Sequence, residues 1–184
     1  MKLKKMLKQI EVSVQNMIGI EKDLSNAAKL LKITLKKNKI IFCGNGGSAA
    51  DSAHVVAELV GRYLKKKRKA LNAISLNDNI STITALSNDF DYKYVFSRQL
   101  EGIGKRGDVL FAISTSGKSK NILEVIKVAK KRKIKTVMLT GQNRFNKNSV
   151  DFCIKVPAKR VDRVQELHII VLHLLSEYLD KEFN

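Results

Sequence analysis

The chain has 184 residues, of which 44% are hydrophobic, and this length supports one domain with a core that needs no disulfides. No apolar run reaches the length of a membrane span, and the two cysteines, Cys43 and Cys153, form no CxxC pair, so we expect a reduced cytoplasmic protein with no membrane partner. The formal net charge of +18 comes with 6% aromatic residues and no tryptophan, which argues against a nucleic-acid partner. We expect the lysines, including the basic run at 65–69, to form a solvated coat that attracts anions modestly.

The N-terminal segment has the pattern of amphipathic helices. Between residues 3 and 36 the apolar positions recur at steps of three and four, which marks one helical face. Gly19 and the capping candidates Asp23 and Ser25 predict two helices that join near 19–25. A long apolar stripe ahead of an α/β core usually needs a partner helix. We therefore expect one domain, 1–184, in which 1–37 is a helical oligomerisation segment and 38–184 is the α/β core.

Strands alternate with helices from Lys39 onward. Strands are predicted at 40–43, 71–74, 109–113, 135–139 and 150–156, and helices at 49–63, 78–86, 91–102, 119–131 and 161–179. Such alternation implies a parallel sheet that is covered on both faces. The predicted fold is thus an α/β three-layer αβα sandwich with a central, mainly parallel five-stranded sheet of flavodoxin or Rossmann type, preceded by long N-terminal helices.

Two loops follow predicted strands and precede predicted helices, where backbone amides and the helix dipole favour an anion. Their residues are Asn45, Gly46, Gly47 and Ser48 in the first loop and Ser114, Thr115, Ser116, Gly117, Lys118 and Ser119 in the second. Glycines let the backbone approach a ligand, and hydroxyls add hydrogen-bond donors. A serine-rich loop of this kind suits a phosphate monoester that only has to be held.

Neither loop fits a nucleotide motif in full. Residues 44–49 match GxGxxG/A, but the next strand ends at Ile74 and Ser75 instead of an acidic residue. The sequence at 117–119 imitates the end of a Walker A loop, which would need a glycine where Ala112 stands. We therefore expect no nucleotide cofactor.

Ionisable side chains concentrate on two predicted helices. His54 and Glu58 are four residues apart and share one helix face. Gln165 and His173 on the last helix are about 80° and about 12 Å apart, so their side chains must tilt to meet at one site. His168 faces differently from His173, so at most one of the two shares the site. A core histidine and a surface ion pair are the structural alternatives for His173 and for the 54/58 pair, and Asn88-Asp89 is by itself a turn or helix stop.

Together these motifs resemble the phosphoheptose isomerases, a branch of the SIS-domain family. Residues 43–63 resemble the first signature of that branch, and Asn88-Asp89-Phe90 resembles its middle loop. Residues 114–117 match the phosphate loop that SIS domains share, and residues 161–168 with His173 resemble the closing helix. The resemblance covers nearly the whole chain in the right order.

The resemblance implies roles for individual residues. It implies that the substrate is contacted by Asn45, Gly46, Gly47, Ser48, Glu58, Asn88, Asp89, Ser114, Thr115, Ser116, Ser119 and Gln165, with the serine loop on the phosphate. It implies one zinc ion per subunit at His54, Glu58, Gln165 and His173. Glu58 and His173 would also move protons, and either one could be the base. The family pattern further implies a homotetramer with active sites between subunits.

The implied reaction converts D-sedoheptulose 7-phosphate into D-glycero-D-manno-heptose 7-phosphate through an enediolate, for lipopolysaccharide core or capsule. One alternative is a non-catalytic SIS protein that binds a replication initiator or another protein. Another is an isomerase of a different sugar phosphate, because the serine loop does not measure chain length. The presence of both Glu58 and His173 favours an enzyme.

Overall fold

The computed structural model describes residues 2–143 and 145–184, and this part of the chain forms seven α-helices around five β-strands. The helices are α1 (Lys2–Gln15), α2 (Glu21–Leu35), α3 (Gly47–Val60), α4 (Ile80–Asp89), α5 (Val95–Ile103), α6 (Lys120–Lys131) and α7 (Val161–Glu182). The strands are β1 (Ile40–Gly44), β2 (Ala73–Ser75), β3 (Val109–Ile113), β4 (Lys135–Thr140) and β5 (Phe152–Lys155). Short 3-10 turns occupy Asn16–Ile20, Tyr92–Tyr94 and Lys147–Ser149.

The strands form one parallel sheet in the order β2-β1-β3-β4-β5. Alternate residues of each strand face opposite layers. Phe42 and Phe111 join the cluster that contains α2, α3 and α7, whereas Ile41 and Leu110 join the cluster beneath α5 and α6. Both faces are therefore buried, which explains why the central strands β1 and β3 are continuous apolar runs, whereas β2, β4 and β5 also contain polar residues. The predicted three-layer sandwich with a five-stranded sheet is confirmed.

The two N-terminal helices join earlier than the sequence pattern predicted. The connecting 3-10 turn is Asn16–Ile20, and both Met17 and Ile20 are buried in it. Asp23 and Ser25 lie inside α2, where the Ser25 hydroxyl donates to Glu21. The predicted junction at 19–25 was therefore a few residues late, because burial of two apolar side chains, and not a polar cap, sets the bend.

Other boundaries also moved. The predicted helix at 91–102 is divided into a 3-10 turn and α5, since the Asp91 side chain accepts from Lys93 N and starts the turn. The last helix continues past the predicted end to Glu182, and β2 is only three residues long. None of the described helices combines the length and apolar character needed to cross a bilayer.

One residue of the basic run at 65–69 is buried. Arg68 is 6% exposed, and its Nε donates to Asp180 Oδ1 at 2.7 Å. Its terminal nitrogens donate to the carbonyls of Glu58 at 2.7 Å and Leu59 at 2.9 Å. The prediction of a solvated run was therefore wrong for Arg68, which ties the end of α3 to α7. Lys66, Lys67 and Lys69 are exposed as expected.

Candidate active site

The site lies where the strand order reverses. In an open sheet with this order the ligand crevice is at the carboxyl ends of β1 and β3, where the connections leave in opposite directions. The 45–48 loop follows β1 and the 114–119 loop follows β3. The two strands are direct neighbours in the sheet. Both predicted anion loops are therefore at this edge, side by side.

The first loop requires glycine for two separate reasons. Gly46 has φ of +56°, a backbone conformation that L side chains rarely adopt. A Cβ at Gly47 would lie 2.1 Å from Nε2 of Gln165, so the side chain of α7 packs directly against the start of α3. Asn77 holds Gly44 through two hydrogen bonds, from Gly44 N at 3.1 Å and to Gly44 O at 2.8 Å. The loop is thus fixed from both sides.

The serine loop is folded on itself. Ser114 Oγ accepts from Gly117 N at 3.2 Å and lies 3.4 Å from Ser119 Oγ, and Ser116 Oγ accepts from Lys118 N at 3.1 Å. Gly117 has φ of +66°, which favours glycine. Ser119 is the N-cap residue of α6, yet its side chain makes no capping hydrogen bond. Its hydroxyl remains available to a ligand at the positive end of the helix.

Three ionisable side chains meet between α3 and α7. Nε2 of His54 lies 3.1 Å from Nε2 of His173 and 3.5 Å from Oε1 of Glu58. The Tyr63 ring stands 5.8 Å from the His173 ring, centroid to centroid. Burial, then the negative charges of Glu177 and Glu58, raise the pKa of Tyr63. The structure therefore unites His54, Glu58 and His173.

The other polar residues of the last helix have different places. Gln165 contacts Gly47, which precedes His54 by seven residues or about 10 Å along α3. His168 is fully buried in the core, so only His173 of the pair shares the site, as its different facing predicted. Asn88 and Asp89 are exposed at the end of α4 and hydrogen-bond each other at 2.8 Å. Within the described residues no hydrogen bond joins them to either loop.

Asp51 is a polar residue near the site that the sequence analysis did not single out. It precedes His54 by three residues on α3, and its Oδ2 is buried with no hydrogen-bond partner in the part of the chain that the structure describes. Burial raises the pKa of the Asp51 carboxyl to about 6, and the nearby His54 offsets part of that rise. The i,i+3 and i,i+7 spacing to His54 and Glu58 was visible in the sequence, but its burial was not.

His54, Glu58 and His173 offer the nitrogen and oxygen donors that zinc binds in proteins. Two ligands of one tetrahedral zinc lie about 3.3 Å apart, and the two contacts of His54 Nε2 are close to that value. In 2–143 and 145–184, however, no three His, Cys, Asp or Glu side chains are arranged to hold a metal ion as they stand. His54 Nε2 instead contacts both neighbours directly. The set fits zinc in ligand type and pairwise spacing, and a bound ion would have to replace these direct contacts.

Two further residues belong to the site and were missed. Asn121, on α6, forms a reciprocal amide pair with Asn45, and the Tyr92 hydroxyl donates to Asn45 Oδ1 at 3.0 Å. Asn45 and Asn121 are 76 residues apart, so no local spacing could have connected them. The contact from Tyr92 also brings the segment that follows Asn88 and Asp89 to the first loop.

The fold, the switch-point loops and the serine loop together define a SIS domain, and the family model of that description matches residues 5–141. The chain is 49% identical to a phosphoheptose isomerase of Akkermansia muciniphila, over 87% of this chain and 85% of that protein. It is 42% identical to one of Helicobacter pylori, over 98% and 94%. The solved phosphoheptose isomerase of Neisseria gonorrhoeae superposes with a TM-score of 0.88 at 33% identity, covering 98% and 97%. The chain belongs to the phosphoheptose isomerase family.

Proposed function

We propose that the protein is an aldose–ketose isomerase that converts D-sedoheptulose 7-phosphate into D-glycero-D-manno-heptose 7-phosphate. The observation that carries the proposal is the meeting of Glu58, His54 and His173 between α3 and α7, in the same domain as a serine loop at the start of α6. Family membership at up to 49% identity supports the same reaction. The product would enter heptose-containing glycans such as lipopolysaccharide core or capsule, and the enzyme would work in the cytoplasm.

The serine loop supplies the first part of the mechanism. The Ser119 hydroxyl makes no capping hydrogen bond to α6, and the N-terminal amides of α6 lie at the same point. A phosphate there would be held by neutral donors and the helix dipole, so the loop needs no lysine to hold the phosphate. Anchoring the far end of a sugar phosphate orients its reacting carbons, and this orientation lowers the entropic part of the barrier.

Proton transfer supplies the second part. A base removes a proton from C1 of the ketose, the C1–H electron pair forms the C1–C2 double bond, and the C2 carbonyl pair moves to O2, which takes a proton. A proton then returns to C2 while O1 gives up its proton and becomes the aldehyde oxygen of the aldose. Glu58 is our candidate base and His173 the acid that serves the oxygens, although the two roles can be exchanged. The contact at 3.1 Å joins Nε2 of both histidines, so one ring donates and the other accepts.

The direct test replaces Glu58 by Gln, which keeps the shape but cannot take a proton. Purified protein is incubated with sedoheptulose 7-phosphate, and the aldose is followed by NMR. We expect turnover to fall by about 10²-fold or more, the usual contribution of a positioned acid–base group, with an unchanged fold. Glu101→Gln is the matched control, because Glu101 is exposed on α5 and pairs with Arg98 at the surface.

Full activity of Glu58→Gln would remove this carboxylate from the chemistry. A wild-type protein that turns over a different ketose phosphate would correct the substrate and keep the mechanism. A wild-type protein that turns over none of a panel of ketose phosphates, with and without zinc, would favour the non-catalytic alternative.

We also propose that zinc binds to His54, Glu58 and His173, with Gln165 as a fourth ligand once its side chain turns away from Gly47. When bound, the ion would polarise the substrate oxygens and stabilise developing negative charge. The test is zinc content by elemental analysis after dialysis, with a change in melting temperature on zinc addition as a second readout. We expect His54→Ala to lose the bound zinc, whereas Glu101→Gln on α5 should keep it. Equal zinc content in both variants would contradict the assignment.

We further propose that the chain is a homotetramer and that active sites form between subunits. Within the described residues α1 buries no side chain, and Leu3, Leu7 and Ile18 are 74%, 67% and 83% exposed. Leu64 and Ile80 are also exposed, at 64% and 73%. Apolar surface of this extent usually marks a protein interface. Other copies of this chain are the partners that would cover it.

A further inference from the structure

Two asparagines join the loops on either side of the switch point. Asn45 Nδ2 donates to Asn121 Oδ1 at 2.9 Å, and Asn121 Nδ2 donates back to Asn45 Oδ1 at 2.8 Å. Asn121 is 2% exposed. It is the second residue of α6 and comes two residues after Ser119 of the serine loop. The pair therefore connects the loop that follows β1 directly to the helix that follows β3.

A single backbone group determines the orientation of both amides. The N–H of Ile122 donates to Asn121 Oδ1 at 2.9 Å, and a backbone N–H can only donate. The oxygen of Asn121 must therefore face Ile122 N and, with it, Nδ2 of Asn45. The oxygen of Asn45 then faces Nδ2 of Asn121. The hydroxyl of Tyr92, at 3.0 Å, must donate to that same oxygen.

This pattern decides what Asn45 can offer to a ligand. An amide oxygen has two acceptor sites, and both sites of Asn45 are used, by Asn121 and by Tyr92. Its nitrogen has two hydrogens, of which one is given to Asn121. Among the contacts within 2–143 and 145–184, the second N–H is the one polar group of the Asn45 side chain that has no partner. Asn45 is consequently a donor toward the crevice and cannot accept from a ligand hydroxyl.

Asn121 has a second effect on the same crevice. An N-cap serine normally accepts from the backbone N–H of the second or third helical residue. Here Asn121 Oδ1 takes the N–H of Ile122, the third residue of α6, and Ser119 makes no capping bond. The N–H of Ile122 is satisfied without Ser119, so the hydroxyl of Ser119 is not used as a helix cap and lies within the phosphate loop, 3.4 Å from Ser114 Oγ.

We propose that Asn121 is a positioning residue, supported by Tyr92, which holds Asn45 as an obligatory hydrogen-bond donor to a carbonyl or alkoxide oxygen of the bound sugar. This inference rests on the proposed function, because it takes a sugar phosphate as the ligand between the two loops. It assigns the sugar contact to the fixed N–H of Asn45 and leaves the phosphate to the serine loop.

The test is a double-mutant cycle with Asn45→Ala, Asn121→Ala and the double variant, measured as kcat/KM for sedoheptulose 7-phosphate. We expect each single variant to lose about 10- to 100-fold, the range for a buried polar partner left unpaired. Because Asn121 acts through Asn45, the double variant should lose no more than Asn45→Ala alone. A purely structural role for Asn121 would instead multiply the two losses, and this outcome would overturn the proposal.

Two controls keep the result interpretable. Val125→Ala removes fully buried methyl groups from the next turn of α6, and it should lower the melting temperature while kcat/KM is preserved. Tyr92→Phe changes a residue that is 51% exposed and does not endanger folding. It should give a smaller loss that disappears in the Asn45→Ala background. A Tyr92→Phe loss that persists there would contradict the proposal even if Asn121→Ala does not fold.

The same cycle is also measured as Kd for sedoheptulose 7-phosphate by calorimetry, which requires no turnover. If the wild type binds the sugar phosphate without isomerising it, the proposed function fails, whereas the cycle in Kd still tests the positioning. If the wild type isomerises the sugar and the losses multiply, the positioning fails and the function stands. A wild type that does not bind the sugar phosphate at all overturns both.

Discussion

The last helix carries two histidines whose surroundings differ sharply. His173 faces His54 at 3.1 Å in the crevice, while His168 is fully buried in the core. Burial lowers the pKa of His168 to about 4, with partial compensation from the nearby backbone of Thr140. The sequence spacing predicted that the two histidines face differently. It could not identify the buried one, since both lie among Ile, Val and Leu.

The buried histidine makes stability depend on pH. Its unfolded pKa is 6.5 and its folded pKa is about 4, so between these values the unfolded chain binds more protons and acid favours unfolding. The contribution of neutral His168 to the free energy of unfolding is complete above pH 6.5. It should fall by about 2 kcal/mol on acidification to about pH 5. Urea unfolding at about pH 7.5 and about pH 5 measures the total pH dependence of the wild type, to which His168 contributes this loss.

Over the same pH interval the free energy of unfolding of His168→Gln should fall by about 2 kcal/mol less than that of the wild type, because glutamine does not titrate. Asp51 has the opposite sign, since its pKa is raised to about 6 and the folded chain holds its proton more tightly. The comparison of variant with wild type removes this contribution, which is common to both. An identical pH dependence in the two proteins would show that His168 is not the titrating group.

At the scale of helices and strands, the sequence pattern predicted the features that depend on residues close together in the chain. Buried parallel strands are largely apolar, and all five were found, although β2 is shorter than its apolar run. The connection between α1 and α2 was misplaced, because the burial of Met17 and Ile20 decides it. Contacts between elements that are far apart in sequence could not be predicted from the sequence pattern. Examples are Arg68 with Asp180 and Asn45 with Asn121. They depend on the packing of α3 against α7 and of β1 beside β3.

Breaking the Arg68–Asp180 pair, which links α3 to α7, should lower the free energy of unfolding by a measurable amount. Burial alone would raise the pKa of Asp180, but hydrogen bonds from Arg68 and from Lys65 N outweigh it and hold the pKa below its usual value. Arg68→Met should therefore leave a buried carboxylate without its cation and destabilise the protein by about 3–5 kcal/mol in chemical denaturation.

Lys66→Met is the matched control, since Lys66 lies in the same basic run but is exposed. Its effect should stay within about 0.5 kcal/mol. Replacing both members of the buried pair by apolar residues should recover part of the loss. If Arg68→Met costs no more than Lys66→Met, the pair does not hold the two helices together.

At the scale of the whole molecule, the described part of the chain forms one continuous sheet with helices on both faces and an N-terminal helix that lies outside the core. Leu7 and Ile18 are among the most exposed apolar side chains. Leu7→Glu with Ile18→Glu should therefore lower the molar mass seen by light scattering, from that of a tetramer toward that of a monomer, because charged side chains would have to be buried in an interface.

Lys29→Glu adds comparable negative charge at an exposed position of α2 and should leave the mass unchanged if it lies outside the interface. A monomeric wild type would contradict the proposed assembly outright. A tetramer that survives the double variant would place the interface elsewhere on the surface.

β1 and β3, the two strands beside the crevice, are joined at their opposite ends by an ion pair between residues that are far apart in sequence. Lys39 donates to Asp108 through its backbone N–H at 3.1 Å and its ammonium group at 2.7 Å, and the two residues are 69 positions apart. Pairing β1 with β3 therefore requires closure of a long loop. The chain loses the conformational entropy of that loop before the contacts between the strands can stabilise it. Helices form locally and quickly. A refolding chain should thus acquire its helical content well before it acquires the ability to hold a ligand.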